Sequence, residues 1–163
     1  MEKHIIFAEV SDTPGVVSRI SGFFTRRGYN IESFVTSKTE RREVTLLTIS
    51  VKSSYEEIKL LVHQMERIED VISVINASET SVVTREFMLI KINCPSDEIS
   101  RNLEIMQVCG MLDIKILGRE QGTVTIEAVG SPQKLDDIVL LFKPYGIEKI
   151  VRSGPVCVSQ EKD

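Results

Sequence analysis

The first alternation of apolar and polar residues predicts a strand followed by a helix. Residues His4–Val10 are apolar and rich in β-forming side chains, which is typical of a buried strand. Thr13 can cap the helix that follows, and Pro14 fits its first position, where no backbone N–H is needed. Apolar residues then recur at helical spacing up to Gly28; they are Val16, Val17, Ile20, Phe23 and Phe24.

Two extended segments, a second helix and a fourth strand complete a first set of elements. Asn30–Lys38 and Glu43–Val51 are rich in Val, Ile, Thr and Phe, and they favour a hairpin. Ser54 and Glu57 have the spacing of a capping box, which predicts the start of the second helix. The apolar stripe of that helix is Ile58, Leu61, Val62, Met65 and Ile68. Val71–Ala77 is the predicted fourth strand.

The same order of elements returns in the second half of the chain. A strand at Arg85–Ile92 precedes a helix after Ser96, which carries Ile99, Leu103 and Met106. A hairpin at residues 112–129 follows, then a helix opened by Ser131 and a last strand at Ile147–Val151. Each half therefore predicts the order β-α-β-β-α-β. The fold class is α+β, with two tandem ferredoxin-like units.

The polar stretch from Ser78 to Thr84 divides the chain into two predicted domains, residues 1–78 and residues 84–163. In each domain, both helices are expected on one face of a four-stranded sheet, so the other face stays open to a partner. Bare sheet edges and faces must be covered, and both edge-to-edge pairing of strands and packing against the second unit would serve. We expect at least a homodimer. Four methionines at apolar positions are expected in the cores; they are Met65, Met88, Met106 and Met111.

Composition narrows the classes of function. A net charge of -4 argues against nonspecific capture of nucleic acid or of acidic lipid surfaces. The three cysteines Cys94, Cys109 and Cys157 suggest neither a disulfide framework nor a zinc site, and they are interpreted as reduced thiols. The chain shows no signal peptide and no apolar run of membrane-spanning length, so a cytoplasmic location is expected.

The turn from Asp12 to Gly15 is the candidate ligand site. A helix N-terminus presents free N–H groups and partial positive charge, which suit an α-carboxylate, and Gly15 permits close approach to the backbone. Asp12 can accept a hydrogen bond from an α-ammonium group. Asn30, which has both a donor and an acceptor, can complete a polar pocket at a dimer seam. The alternative is that Asp12 and Thr13 only cap the helix while Pro14 and Gly15 shape the turn.

Two longer strings are more specific than the turn alone. Residues 14–20 read Pro-Gly-Val-Val-Ser-Arg-Ile, and residues 27–33 read Arg-Gly-Tyr-Asn-Ile-Glu-Ser. Together they closely resemble the regulatory small subunits of acetohydroxyacid synthase, also called acetolactate synthase. Residues 84–91 are similar to the strand that opens the second domain in that family, and residues 152–154 are similar to its closing motif.

The resemblance implies an N-terminal ACT domain that binds a branched-chain amino acid, usually valine, at a dimer interface, and a C-terminal ferredoxin-like domain. It implies a non-catalytic chain, without cofactor or metal, that activates a catalytic large subunit and mediates feedback inhibition. Thiamine diphosphate, Mg²⁺ and FAD would lie on that partner. The implied effector contacts are Asp12, Gly15 and Asn30, with Thr13, Pro14, Val16 and Ile31 as neighbours. At Asp12 the family more commonly has Asn, and a carboxylate there favours the ammonium end of a ligand.

Three other functions compete with this one. RNA-recognition domains share this order of elements, but they need exposed aromatic residues within a basic surface, whereas these hairpins offer Phe34 alone. A small ferredoxin-like enzyme would need a nucleophile with its base or a phosphate-binding glycine loop, and the sequence suggests neither. A freestanding ACT-type sensor that regulates a different enzyme remains the open alternative.

Overall fold

The computed structural model describes residues 2–77, 79, 81–95 and 97–160. It contains the predicted order of elements twice, so the fold class is confirmed. The end of the predicted first domain at Ser78 and the residue before the predicted third helix, Ser96, lie outside the described residues. The strands and helices are β1 (Glu2–Ser11), α1 (Val16–Arg26), β2 (Ile31–Lys38), β3 (Val44–Ser53), α2 (Tyr55–Met65), β4 (Val71–Asn76), β5 (Val82–Asn93), α3 (Ile99–Met111), β6 (Lys115–Glu120), β7 (Thr123–Gly130), α4 (Pro132–Phe142) and β8 (Ile147–Ser159).

The first sheet has the strand order β2-β3-β1-β4, and neighbouring strands run antiparallel. Alternate residues of β1, namely Ile6, Ala8 and Val10, are fully buried under the two helices. The helices contribute most of their predicted stripes, with Phe24 and Met65 both fully buried, but Val17 of the α1 stripe is 41% exposed. The strands have an apolar face that repeats every two residues, and the helices have one that repeats every 3.6 residues. These faces pack together in one core. This sheet leaves β2 at one edge.

The second sheet has the strand order β6-β7-β5-β8 and a separate core beneath α3 and α4. The expectation for α3 was wrong, because Leu103 and Met106 are exposed while Ile105 and Cys109 are buried. Residues two positions apart lie about 200° apart on a helix, so the two stripes face opposite ways. Both stripes have helical spacing, and the spacing alone does not say which one meets the sheet. Met111 is also exposed, at 84%.

The last strand is longer than predicted, because β8 continues eight residues past Val151 to Ser159. Its final part covers the outer face of the first sheet, where Thr48 and Ser50 are 1% and 0% exposed. Gly154 lies there so closely that an added Cβ would be 2.8 Å from Val35 Cγ2. The predicted open face of the first sheet is therefore covered in part by the chain's own C-terminal strand.

The chain divides into two compact units. The first runs to Val83 and also includes the chain from Gly154 onward, and the second is Thr84–Ser153. The predicted domains, residues 1–78 and 84–163, remain a prediction, and they differ from the compact units in the placement of the last strand. The longest helix described, α3, has 13 residues, and none of the described helices combines the length and apolar character that a membrane crossing needs.

Candidate functional site

The turn before α1 differs from the predicted helix start. The helix begins at Val16, and its N-cap is Gly15 in a left-handed conformation with φ of 84°. Thr13 does not cap the helix, because its hydroxyl donates a 3.0 Å hydrogen bond to Asp70 Oδ1. Pro14 precedes the helix rather than opening it. The turn therefore owes its shape to Gly15 and to a contact with the segment before β4, which helix-capping rules do not anticipate.

The guanidinium group of Arg19 holds this turn in place. Its Nε donates to Asp70 Oδ2 at 2.7 Å, and its Nη2 donates to Asp70 Oδ1 at 2.9 Å. Nη2 also donates to Thr13 Oγ1 at 2.9 Å, and Nη1 donates to the Pro14 carbonyl at 3.2 Å. One planar group thus ties two residues of the turn to the loop that precedes β4.

The charges of Arg19 and Asp70 satisfy each other. The hydrogen bond from Arg19 lowers the pKa of Asp70 below its usual value, and the hydrogen bond to Asp70 raises the pKa of Arg19. Gly15 lies directly against this pair, since an added Cβ would be 3.2 Å from Arg19 Nη1. Arg19 is therefore a brace for the turn and is already engaged by protein groups.

A shallow depression opens beside the turn, between the start of α1, the last residues of β2 and the first residues of β3. Its lining residues are Asp12, Val16, Val17, Thr36, Ser37, Lys38 and Thr45. The backbone N–H of Asp12 donates to the Glu43 carbonyl at 2.8 Å, which fixes its main chain. The Asp12 side chain is exposed and makes no hydrogen bond or ion pair within the part of the chain that is described. Its carboxylate is therefore available to a ligand.

Asn30 and Ile31 lie at the other end of α1. The helix ends with the hydrogen bonds of a Schellman motif, in which Tyr29 N–H donates to the Phe24 carbonyl and Gly28 N–H donates to Thr25. Asn30 and Ile31 line a second depression there. An 11-residue helix is about 16 Å long, so a single chain does not bring Asn30 to Asp12 and Gly15.

Sequence patterns did not identify three residues of this region as part of the candidate site. Asp70 is 51 residues from Arg19 and has no local pattern that marks it as a partner. Lys38 ends an edge strand, where a lysine is commonplace. Arg19 lies four residues after Gly15, one helical turn further on, and this spacing was the only available sign that it contacts the turn.

Cys94, Cys109 and Cys157 are all buried, and none of them forms a disulfide bond. Among the residues with described positions, no cluster of three or more His, Cys, Asp or Glu side chains is arranged to hold a metal ion. The described turn offers hydrogen-bonding and charged groups.

Comparison with known proteins gives a family for each half of the chain. Residues 6–73 match a model described as the ACT domain of acetohydroxyacid synthase small-subunit-like proteins. Residues 85–161 match a model described as the small subunit of acetolactate synthase. The two matches follow one another along the chain in the order that the sequence motifs predict.

Individual relatives agree with these models. The acetolactate synthase small subunit of Mycolicibacterium smegmatis is 33% identical over 96% of this chain and 91% of its own length. The probable acetolactate synthase small subunit of Methanothermobacter thermautotrophicus is 31% identical over 98% of this chain and 94% of its own. The crystal structure of the acetolactate synthase small subunit from Thermotoga maritima superposes with a TM-score of 0.79 at 26% identity, covering 100% of both chains.

Proposed function

Because the chain belongs to the family of acetolactate synthase small subunits, we propose that it is the regulatory subunit of such a synthase and binds a branched-chain amino acid at the turn before α1. In this proposal the reaction takes place on a catalytic large subunit, which carries the cofactors. The present chain raises the activity of that partner and confers feedback inhibition. The observation that carries the proposal is the braced turn at the N-terminus of α1, with the free carboxylate of Asp12 beside it.

The turn offers complementary groups to both ends of an amino acid. The N-terminal end of α1 presents backbone N–H groups and partial positive charge, which favour an α-carboxylate. Asp12 can accept hydrogen bonds from the α-ammonium group. Val16 and Val17 line the same depression and supply apolar surface for a branched side chain. Charge-assisted hydrogen bonds contribute about 1.5–3 kcal/mol each, so two or three of them together with burial of the apolar side chain can supply the roughly 8 kcal/mol of micromolar binding.

Asn30 joins this site if two copies of the chain pair along β2. That strand is an edge of the first sheet, so its outer backbone groups are free to pair with a second copy. Antiparallel pairing of two β2 strands about a two-fold axis would bring Ile31 of each copy towards Lys38 of the other. Asn30 of one copy would then lie beside Asp12 and Gly15 of its partner. We therefore propose a homodimer with two equivalent sites at its seam.

This arrangement gives the effector a route to regulation. An amino acid held by groups from two copies stabilises one arrangement of the seam over others, and a coupling of about 1–3 kcal/mol is typical of such control. The effector would act by shifting the regulatory dimer, and with it the large subunit, towards a less active state. The brace from Arg19 to Asp70 keeps the turn ready to bind in both states.

The proposal is tested by reconstitution. The chain is co-expressed with a candidate large subunit, purified through a tag on that subunit, and assayed with and without valine, leucine and isoleucine. We expect co-purification, higher synthase activity and inhibition by at least one of the three. Asn30→Ala should abolish the inhibition and leave the activation, whereas Gln133→Ala, an exposed amide in the second unit, should change neither.

Each outcome separates one part of the proposal from the others. Inhibition that survives Asn30→Ala at full strength would remove Asn30 from the site. Binding of an amino acid without any association with a large subunit would favour a freestanding sensor for a different enzyme. Light scattering that gives the mass of a single chain at every concentration would contradict the homodimer.

A further inference from the structure

The depression beside the turn contains a lysine as well as an aspartate. Lys38, the last residue of β2, lines this depression together with Asp12. The Lys38 and Asp12 side chains do not form an ion pair with each other, nor with any other residue whose position is described. One small depression thus holds a positive and a negative side chain that are both available to a ligand. A free amino acid carries the complementary pair of charges.

Other carboxylates near Lys38 are already engaged. Lys38 also lines a neighbouring depression on the outer side of the sheet, which contains Glu9 and Glu40. Arg41 Nη2 donates to Glu9 Oε2 at 2.6 Å, and Arg41 Nε lies 3.6 Å from Glu40 Oε1. Lysines elsewhere on the same sheet are likewise engaged, since Lys52 pairs with Glu32 at 2.5 Å. Lys38 is left uncommitted where the proposed effector would bind.

We propose that Lys38 is a specificity residue of this site, and that its ammonium group binds the α-carboxylate of the effector while Asp12 binds the α-ammonium group. This inference rests on the proposed function and deepens it, because it assigns recognition of the α-carboxylate to the side chain of Lys38. The uncharged lining of the depression, Val16, Val17, Thr36 and Thr45, meets the side chain. Amino-acid amides, which lack a free α-carboxylate, are excluded as strong ligands. Peptides are excluded as well, because they do not carry the ammonium and carboxylate groups on one α-carbon.

The test compares an amino acid with its amide on the full-length chain. Isothermal titration calorimetry is run with L-valine, L-leucine and L-isoleucine, and then with the primary amide of the tightest binder. Lys38→Gln should weaken binding of the amino acid roughly ten- to a hundredfold, as expected for loss of one charge-assisted hydrogen bond, and leave the weak binding of the amide unchanged. Lys38→Arg should restore most of the affinity. Lys59→Gln, which removes an exposed positive charge from α2, should affect neither ligand.

The outcomes distinguish this inference from the proposed function. If the wild type binds an amino acid and Lys38→Gln weakens the acid and the amide equally, or weakens neither, the role of Lys38 is contradicted while the proposed site stands. If the wild type binds none of the three amino acids, both proposals are contradicted. Unchanged thermal unfolding of Lys38→Gln is the check that the loss is one of recognition.

Discussion

The two units share one order of elements, yet the turns before their first helices differ in charge. The first turn opens on a depression with one carboxylate and one ammonium group, from Asp12 and Lys38. The depression at the start of α3 has three carboxylates and one guanidinium, from Asp97, Glu98, Glu104 and Arg101. An α-carboxylate there would meet an excess of negative charge. The two units therefore share a fold, and it is the side chains that distinguish the proposed amino-acid site from its counterpart in the second unit.

Arg19 in the first unit and Arg152 in the second form ion pairs that differ in burial. Arg19 is 49% exposed and pairs with Asp70 beside the turn, so it braces a surface site. Arg152 is 24% exposed and donates from Nε to Glu86 Oε1 at 2.9 Å and from Nη2 to Oε2 at 2.5 Å, where Glu86 is only 3% exposed. The first pair lies beside the proposed binding site, whereas the second pair contains a carboxylate that is almost fully buried.

The largest expected effect comes from breaking the buried pair. Arg152→Leu leaves the Glu86 carboxylate buried without its partner, which typically costs about 3–5 kcal/mol of unfolding free energy. Chemical denaturation should show this loss, while calorimetry below the transition should show unchanged effector affinity. Asp136→Asn, which removes the exposed partner of Arg152, should cost less than about 1 kcal/mol. A large loss of effector affinity in Arg152→Leu below its transition would contradict the division of roles.

Gly15 and Gly122, one in each unit, have similar backbone conformations and allow a matched substitution in the two units. Gly15→Ala places a Cβ 3.2 Å from Arg19 Nη1 at φ of 84°, whereas Gly122→Ala has a similar φ of 77° and a nearest atom at 3.9 Å. Both changes should cost about 1–2 kcal/mol of stability from left-handed strain. Calorimetry should show effector affinity reduced at least tenfold for Gly15→Ala alone. Equal affinities for the two variants would mean that the turn is not the binding site.

A smaller effect is expected from the brace. Arg19→Gln and Asp70→Asn should each weaken effector binding several-fold, because the turn loses the ties to Thr13 and to the loop before β4. Since both residues act through the same contact, the double variant should be no weaker than the worse single one. Additive losses in this double-mutant cycle, measured by calorimetry, would show that Arg19 and Asp70 act separately. Stability should change little, because Arg19 is half-exposed and solvent screens its charge.

The smallest expected effect is on how the melting temperature depends on pH in the acid range. The Glu57 carboxylate accepts hydrogen bonds from Ser53 Oγ and from the Ser54 N–H and Oγ, which together lower the pKa of Glu57 to about 2. A lowered pKa contributes stability above the ordinary value of 4.5, and this contribution is lost as pH falls from there towards 2. Glu57→Gln should therefore lower the melting temperature at neutral pH and flatten its acid dependence. Circular dichroism melts over that range measure it.

The control for this prediction lies in α4. Ser131 Oγ caps that helix by accepting from the Lys134 N–H at 3.2 Å, so its cap contains no titrating group. Ser131→Ala should lower the melting temperature by a similar amount at every pH. An acid dependence that is identical in wild type and Glu57→Gln would contradict the assignment of the lowered pKa.

Sequence patterns predicted the architecture well, because local spacing determines it. The capping box at Ser54 and Glu57 is present as predicted, and so are the two sheets. The exposed stripe of α3 and the length of β8 were not predictable, since they depend on which surfaces meet in three dimensions. For the same reason the contact of Asp70 with Arg19 was not predictable from the sequence. The turn from Asp12 to Gly15 and Asn30 were candidates from their own chemistry, and the family resemblance made them the implied effector contacts. Lys38 became a candidate only in the structure.

The central claim is that the first turn, and not the second, binds an amino acid. The most direct test is titration of the 15N-labelled chain with L-valine, L-leucine and L-isoleucine, followed by amide chemical shifts. The account predicts shifts that concentrate at residues 12–17, Lys38 and Asn30, with residues 97–101 unchanged. Shifts centred on residues 97–101, or no shifts with any of the three amino acids, would contradict it.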